Sequence, residues 1–422
     1  MSKQISWQKS RQKVIVVGGG IVGCLTALAL RDRGCQVTMV ERNVVAAQTS
    51  GESSWAGAGI LFPLLPWMYK DAVNQLAMAG ARLYPALCER LFTETGIDPE
   101  YTQSGMQILP PFDEATAINW CKSYQVPVEK KVNGLLLPTI AQVRPPHLLQ
   151  ALRQLLIQEN VSLLENIQLI PLQLESIANG EKINSWKTST GLVLEADAFV
   201  VTSGAWSFDL LKDTAVNLNI KPMRGQILLY ENVPEKLENI QLIPLQLESL
   251  ANGEKINGWK TTTGLVLEAD AFVVTSGAWS FDLLKDTAVN LNIKPMRGQI
   301  LLYENVPEKL ENIIYSNGFY LVPRRDGLLL AGSTLEDVGF DKNTTEEVKQ
   351  ELQTKAESIL PSLKHALIRK HWSGLRPGTP DNLPTIAAHH HIKNLYLNTG
   401  HFRYGLTMAP ASAERVAVLI YV

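Results

Sequence analysis

Three glycines, Gly18, Gly20 and Gly23, follow the apolar run Val14–Val17 in the spacing Gly-x-Gly-x-x-Gly. Glycine at these points permits a tight turn, lets the backbone approach a pyrophosphate and allows the following helix to pack closely. The N-terminus of that helix adds a site favourable to negative charge, with Ile21 and Val22 in its first turn. Glu41 lies 18 residues beyond Gly23, where a carboxylate accepts hydrogen bonds from both hydroxyls of a ribose. An acid there, rather than an arginine, disfavours a 2′-phosphate. Together these residues predict a dinucleotide site. Two more segments carry more glycine than core packing needs: Thr49–Ile60 (TSGESSWAGAGI) and Gly400–Thr407 (GHFRYGLT).

The elements that must hold these residues read as a compact strand–helix–strand unit: residues 14–17, about 21–33 and Gln36–Glu41. The first strand has no polar alternation, as expected of a buried parallel strand. Helical periodicity is predicted for 70–95, 113–123 and 147–160, for Glu346–Leu360 and for 409–421. Strands are predicted at 319–323, 327–333 and 395–398. A strand-rich middle between two glycine-rich ends gives an α/β (mixed α+β) fold: a Rossmann-like cofactor domain with an inserted mixed-sheet substrate domain. The expected cofactor domain comprises 14–62, about 145–215 and 365–422, and the substrate domain about 63–144 and 294–364.

Composition narrows the function. Lys plus Arg (39) does not exceed Asp plus Glu (41) among 422 residues, which argues against a nucleic-acid binder. The four cysteines form no CxxC, so a reducing, cytoplasmic setting is expected. The run Val14–Leu30 contains several glycines and falls short of about 20 residues, so no membrane span is expected. His389–His391 invites a metal reading, but contiguous histidines lack ligand spacing, and none is assigned.

Residues 165–237 recur as 238–310 with 70 of 73 positions identical, leaving 349 residues once one copy is removed. Solenoids use shorter, diverged units in greater number. The block carries one cofactor-side strand (DAFVVTSG) and one strand for the substrate sheet (KPMRGQILLYE), and a single fold has one slot for each. One copy is therefore expected to be surplus.

The motifs VIVVGGGIVG, SSWAGAGIL, YLVPRRDGLLLAGST, GLRPGTPD and GHFRYGLTMAP resemble those of FAD-dependent amine and amino-acid oxidases of the D-amino-acid oxidase family, and within it the glycine oxidases of thiamine biosynthesis. The resemblance runs from residue 14 to the C-terminus. It implies FAD, a small amine or amino-acid substrate, O2 as acceptor and a homo-oligomer. Because all four cysteines precede residue 122, none is expected near the C-terminal motifs where covalent relatives attach flavin, and the FAD is expected to be non-covalent. Gly18, Gly20, Ile21, Val22 and Gly23 would lie at the pyrophosphate and Glu41 and Arg42 at the adenosine ribose. Ser53 and Ser54 would meet the phosphates and ribityl chain, and Ala58, Gly59 and Ile60 the flavin ring. Leu169, or its duplicate Leu242, would offer backbone to the adenine. His401, Phe402, Arg403, Tyr404, Gly405, Leu406 and Thr407 would wrap the ribityl and pyrimidine end. Arg376 would pair with the substrate carboxylate, assisted by Arg403, with Tyr320 as a cap. Tyr404 departs from the small polar residue common at its position. Two other outcomes stay open at this stage: a flavin dehydrogenase with a different acceptor, and an FAD-binding protein inactivated by the duplication.

Overall fold

Val14–Val17 are buried on both faces in the computed structural model, which describes residues 12–48, 53–167, 293–388 and 395–421 and short strand segments between 185 and 287. Burying each of these valine and isoleucine side chains stabilises the sheet by about 1.5–3 kcal/mol. The strand Lys13–Val17 pairs in parallel with Gln36–Val40, which pairs in parallel with Ser162–Leu164. The helix Ile21–Asp32 covers one face, buried along most of its length. On the far edge the sheet closes with Leu395–Thr399, flanked by antiparallel Thr385–Ala388.

Between Lys13–Val17 and Leu395–Thr399 lies one parallel slot. Ala198–Val201 from the first copy of the repeat pairs with both neighbours, setting Phe199 against Leu395. Phe272–Val274 from the second copy pairs with the same two strands, setting Phe272 against Leu395 and against Ile15. The segments are identical in sequence and register. A slot between two strands admits one occupant, so the copies are alternative occupants of it. Elsewhere the copies pair with each other, as Ser185–Lys187 does with Val266–Leu267.

The second sheet is mixed. Its order is Leu367–Gly378, Lys294–Glu304, Leu329–Gly332, Phe319–Pro323, Ile313–Ser316, Met106–Leu109, Gly134–Leu137 and Glu129–Lys131. The long strand Lys294–Glu304, from the second copy, pairs with Leu367–Gly378 from Lys294 opposite Gly378 to Glu304 opposite Leu367. The helix Glu346–Ile359 covers its back through Leu352 and Ala356. Its N-cap, Thr345, accepts from the Val348 amide, which satisfies one of the helix's otherwise orphaned donors.

Three sequence expectations need correction. Leu367–Gly378 belongs to the second sheet, because its hydrogen-bonding partner is Lys294–Glu304 rather than any cofactor-side strand. The helix Asp71–Thr95 packs on the final helix, where a side chain at Gly80 would collide with the Thr407 carbonyl at 2.1 Å, so it supports the cofactor side. The final helix begins at Gly405, not 409. Proline favours a first-turn position, which points to a start near Pro410. Here Pro410 is interior, and the Leu406 carbonyl it cannot serve accepts from Tyr84 Oη at 2.6 Å instead.

All four cysteines are buried and free. Burial pushes the Cys24 and Cys88 thiols up to about 12 and the Cys121 thiol up to about 11. Among the described residues no helix is long and apolar enough to cross a membrane.

Candidate active site

The glycine turn delivers the first helix with no cap from its own N-cap residue, Gly20, and no acid in its first turn. Its N-terminus therefore keeps the partial positive charge of its free amides. Ser54 Oγ accepts from the Ile21 amide at 3.0 Å, drawing the loop that opens at Ser53 onto this N-terminus. Val22 packs at the edge of the core and Gly23 is buried in the helix. Glu41 stands one residue past its strand and is 8% exposed. Its Oε2 accepts from the Gly19 amide at 2.7 Å and Oε1 from the Asn43 amide at 3.0 Å. A carboxylate is an acceptor of the type that ribose hydroxyls need. Arg42 follows at the same bend, half-buried.

The next loop is held from several sides. The Ala56 carbonyl accepts from Trp372 Nε1 at 3.1 Å, and Ala58 from Arg324 Nη2 at 2.7 Å. Gly59 accepts from the Val143 amide at 3.0 Å, and Ile60 from Thr407 Oγ1 at 3.1 Å. Gly59 is obligatory: its φ is +78°, and a Cβ would lie 2.0 Å from the Val143 carbonyl oxygen. Trp372 and Arg324 come from the second sheet, so that sheet sets the position of the cofactor-side loop. Arg324 is buried enough that its pKa is pulled down to about 10.

Gly400 leads through His401 into a short turn, Phe402–Tyr404, and then the final helix. Phe402 has φ +45°, a left-handed conformation uncommon outside glycine. Arg403 lies over its ring at 5.8 Å. His401 is 2% exposed, and burial lowers its pKa to about 3, so the imidazole is neutral. Its Nε2 has no hydrogen-bond partner among the described residues. Tyr404 donates to the Leu64 carbonyl and meets Tyr69 edge to face at 5.3 Å.

A cavity of about 90 Å3 joins these pieces, lined by Ala58, Gly59 and Ile60 together with Arg403, Tyr404, Leu406 and Thr407. Arg376 and Tyr320 enter from the second sheet. Arg376 Nη2 donates to Ser333 Oγ at 2.7 Å and Nη1 to the Thr334 carbonyl at 3.1 Å. Burial lowers the Arg376 pKa, and Arg403 lowers it further, against opposing contributions from Tyr320 and Glu336. A cleft between two sheets, lined by apolar side chains with two arginines, Ser333, Thr407 and two tyrosines among them, is the form of a small-molecule site.

The FAD-dependent oxidoreductase family model of D-amino-acid oxidase type matches residues 13–254 and 246–419. The chain belongs to this family. It is 33% identical to a glycine oxidase of Pseudomonas aeruginosa over 97% of its length and 94% of that protein. It is 28% identical to a bifunctional protein ThiO/ThiG of Trichormus variabilis, over 96% of this chain and 52% of that protein. Its fold matches a crystal structure of glycine oxidase from Bacillus cereus with a TM-score of 0.71 and 22% identity, covering 97% of this chain and 95% of that one.

The cofactor of the family is FAD, and the residues present fit it. A helix N-terminus with no acid in its first turn suits the pyrophosphate, the glycine at 59 leaves no side chain at that point of the loop, and His401 Nε2 is a buried polar atom without a partner among the described residues. Of the predicted residues, the cavity gathers Ala58, Gly59, Ile60, Tyr320, Arg376, Arg403, Tyr404, Leu406 and Thr407. Gly18, Gly20, Ile21, Glu41 and Ser54 gather separately at the first helix. Leu169, Leu242 and His389–His391 lie outside the described residues. Sequence reasoning overlooked Gly19, Ser333, Thr334, Arg324 and Trp372. All but Gly19 and Trp372 sit inside the motif YLVPRRDGLLLAGST, so a signal was present without a role attached.

Proposed function

We propose that this flavoenzyme oxidatively deaminates glycine, or a related small amine or D-amino acid, with O2 as acceptor. The observation that carries the reading is the convergence of Arg376, Arg403 and Tyr320 on the cavity that Ala58, Gly59 and Ile60 also line. Arg376 presents a planar fork that matches a carboxylate bidentately, a charge-assisted contact typically contributing about 1.5–3 kcal/mol. Held there, the substrate has its α-carbon directed at the Ala58–Ile60 wall, and the arginines hold that orientation. Tyr320 caps the substrate and, with the apolar side chains Phe62, Leu64 and Leu406 of the lining, excludes water. The neutral amine needs no side-chain base. Bound in this cleft, FAD would supply the two-electron oxidation of the α-carbon, with O2 as the acceptor and hydrogen peroxide as its product. The imine formed from the substrate then hydrolyses to ammonia and a keto acid or feeds thiazole assembly for thiamine. The N-terminus of the final helix, with Thr407 and Leu406 on the cavity, places positive partial charge on the flavin side.

All four cysteines are buried and free, and the flavin is held non-covalently in this reading. Acid precipitation should release it into the supernatant. Cytoplasmic placement and a homo-oligomer complete the reading.

Anaerobic mixing with glycine, sarcosine and a set of D-amino acids tests the chemistry. Bleaching of the flavin band by at least one, followed by stoichiometric peroxide when air is admitted, is the expected result. Bleaching without peroxide would move the assignment to a dehydrogenase with another acceptor. No bleaching by any of them would overturn it.

A further inference from the structure

Arg376 projects from Leu367–Gly378 opposite Met296 of Lys294–Glu304. Gly298, two residues on, lies on the same face of that strand because side chains alternate. The guanidinium lies directly over Gly298: a Cβ there would sit 2.1 Å from Nη1, 2.3 Å from Nη2 and 2.4 Å from Cζ. No heavy atoms approach so closely, so any side chain would evict the guanidinium from its place. From that place it reaches Ser333 Oγ and the Thr334 carbonyl. Behind it, Thr334 Oγ1 donates to Glu336, which is also held by Arg297 and Gln299.

The repeat gives this glycine a twin. Gly225 occupies the same point of the first copy, but Arg224–Gly225 pairs in parallel with Phe340–Asp341 in a separate two-stranded sheet. The seat beneath Arg376 is therefore made by the second copy alone.

We propose that Gly298 is a positioning residue for carboxylate recognition: its missing side chain is the seat that holds the Arg376 guanidinium flat against the sheet, and Gly225 does not share the role. The inference rests on the reading of Arg376 as the carboxylate ligand. It specifies the substrate class as carboxylate-bearing and assigns the two copies different functions.

The test compares Gly298→Ala and Gly225→Ala in the FAD-loaded full chain. Glycolate, a carboxylate without an amine, is titrated against the flavin absorbance spectrum, and glycine turnover is measured alongside. Gly298→Ala should raise the glycolate dissociation constant and the glycine KM by about tenfold or more, with kcat within about threefold. Gly225→Ala should change neither. Unchanged binding in Gly298→Ala, or an equal shift in Gly225→Ala, overturns the proposal. If no amine reduces the flavin, the proposed reaction fails, but glycolate binding still reports on the seat.

A stability cycle covers loss of folding or of glycolate binding. Gly298→Ala should lower the thermal midpoint, and that loss should vanish when Arg376→Ala is also present, because the clash is with the guanidinium. An undiminished loss in the Arg376→Ala background overturns the proposal.

Discussion

Between Lys13–Val17 and Leu395–Thr399, Ala198–Val201 and Phe272–Val274 offer the same side chains to the same partners in the same register. Beside Leu367–Gly378, by contrast, the second copy alone supplies a full-length strand, Lys294–Glu304. Identical sequence thus meets one position where the copies compete and one where they do not. Connectivity makes the difference. Lys294–Glu304 runs within a few residues into Ile313–Ser316 of the same sheet, whereas the first copy would have to loop out 73 residues to make that connection. The parallel slot is reached through long connections in either case, and each doubling of a loop adds only about 0.6 kcal/mol of closure cost. Sequence identity fixes what a strand can do, and chain connectivity decides whether it gets the position.

The largest effect should come from disabling both claimants of the shared slot. Val200→Asp with Val273→Asp places an unpaired charge in a buried strand whichever copy enters, and flavin binding should be lost; either change alone should leave it intact. Flavin fluorescence after gel filtration reads the outcome, and loss from a single change would show that the slot belongs to one copy. Next, Ile300→Asp in the second sheet should cost about 4 kcal/mol or more, because Ile300 is 2% exposed. Ile227→Asp, its twin in the first copy, should be close to neutral in thermal unfolding.

Removing 238–310 should sharpen the contrast further. The shortened chain should bind FAD at least as well as the full one, since the first copy then has the downstream connection. In that chain Gly225→Ala should acquire the weakened glycolate binding expected of Gly298→Ala in the full chain. Lost flavin binding on deletion would mean that both copies are needed.

The smallest effect concerns acid, and compares the two sheets rather than the two copies. Burial holds His401, on the cofactor side, neutral down to about pH 3, and His371, in the second sheet, down to about pH 4. Both take up a proton in the unfolded chain below its ordinary value of 6.5. The unfolded state then binds more protons, so stability is complete above 6.5 and falls as pH drops toward 3. His401→Gln should flatten thermal midpoint against pH in that window more than His371→Gln does. An equal slope in the unaltered chain and in His401→Gln would remove that role from His401.

Much of the cofactor side is legible from sequence because it is local. Strand, glycine turn, helix and Glu41 fall within about thirty residues, and their spacing is their geometry. Arg376, Tyr320 and Arg403 were named through motif resemblance, and the fold brings them to one cavity. The role of Gly298 was not readable, because it depends on the pairing of strands whose register no local pattern encodes. The seat of Trp372 against the Ala56 carbonyl was hidden for the same reason, since it joins residues 316 apart in sequence. The start of the final helix was misplaced because the compensation for Pro410 comes from Tyr84, in a helix more than three hundred residues earlier.

The buried cysteines carry one more consequence. An oxidase working as proposed releases peroxide within its own structure at every turnover, and the thiolate, not the thiol, is the form that peroxide attacks. With Cys24 and Cys88 pushed up to about 12 and Cys121 to about 11, these sulfurs stay protonated at any pH the cell offers. Burial raises the Cys35 thiol as well, so the cysteines are poor targets for the by-product, and the working lifetime should not be set by thiol oxidation.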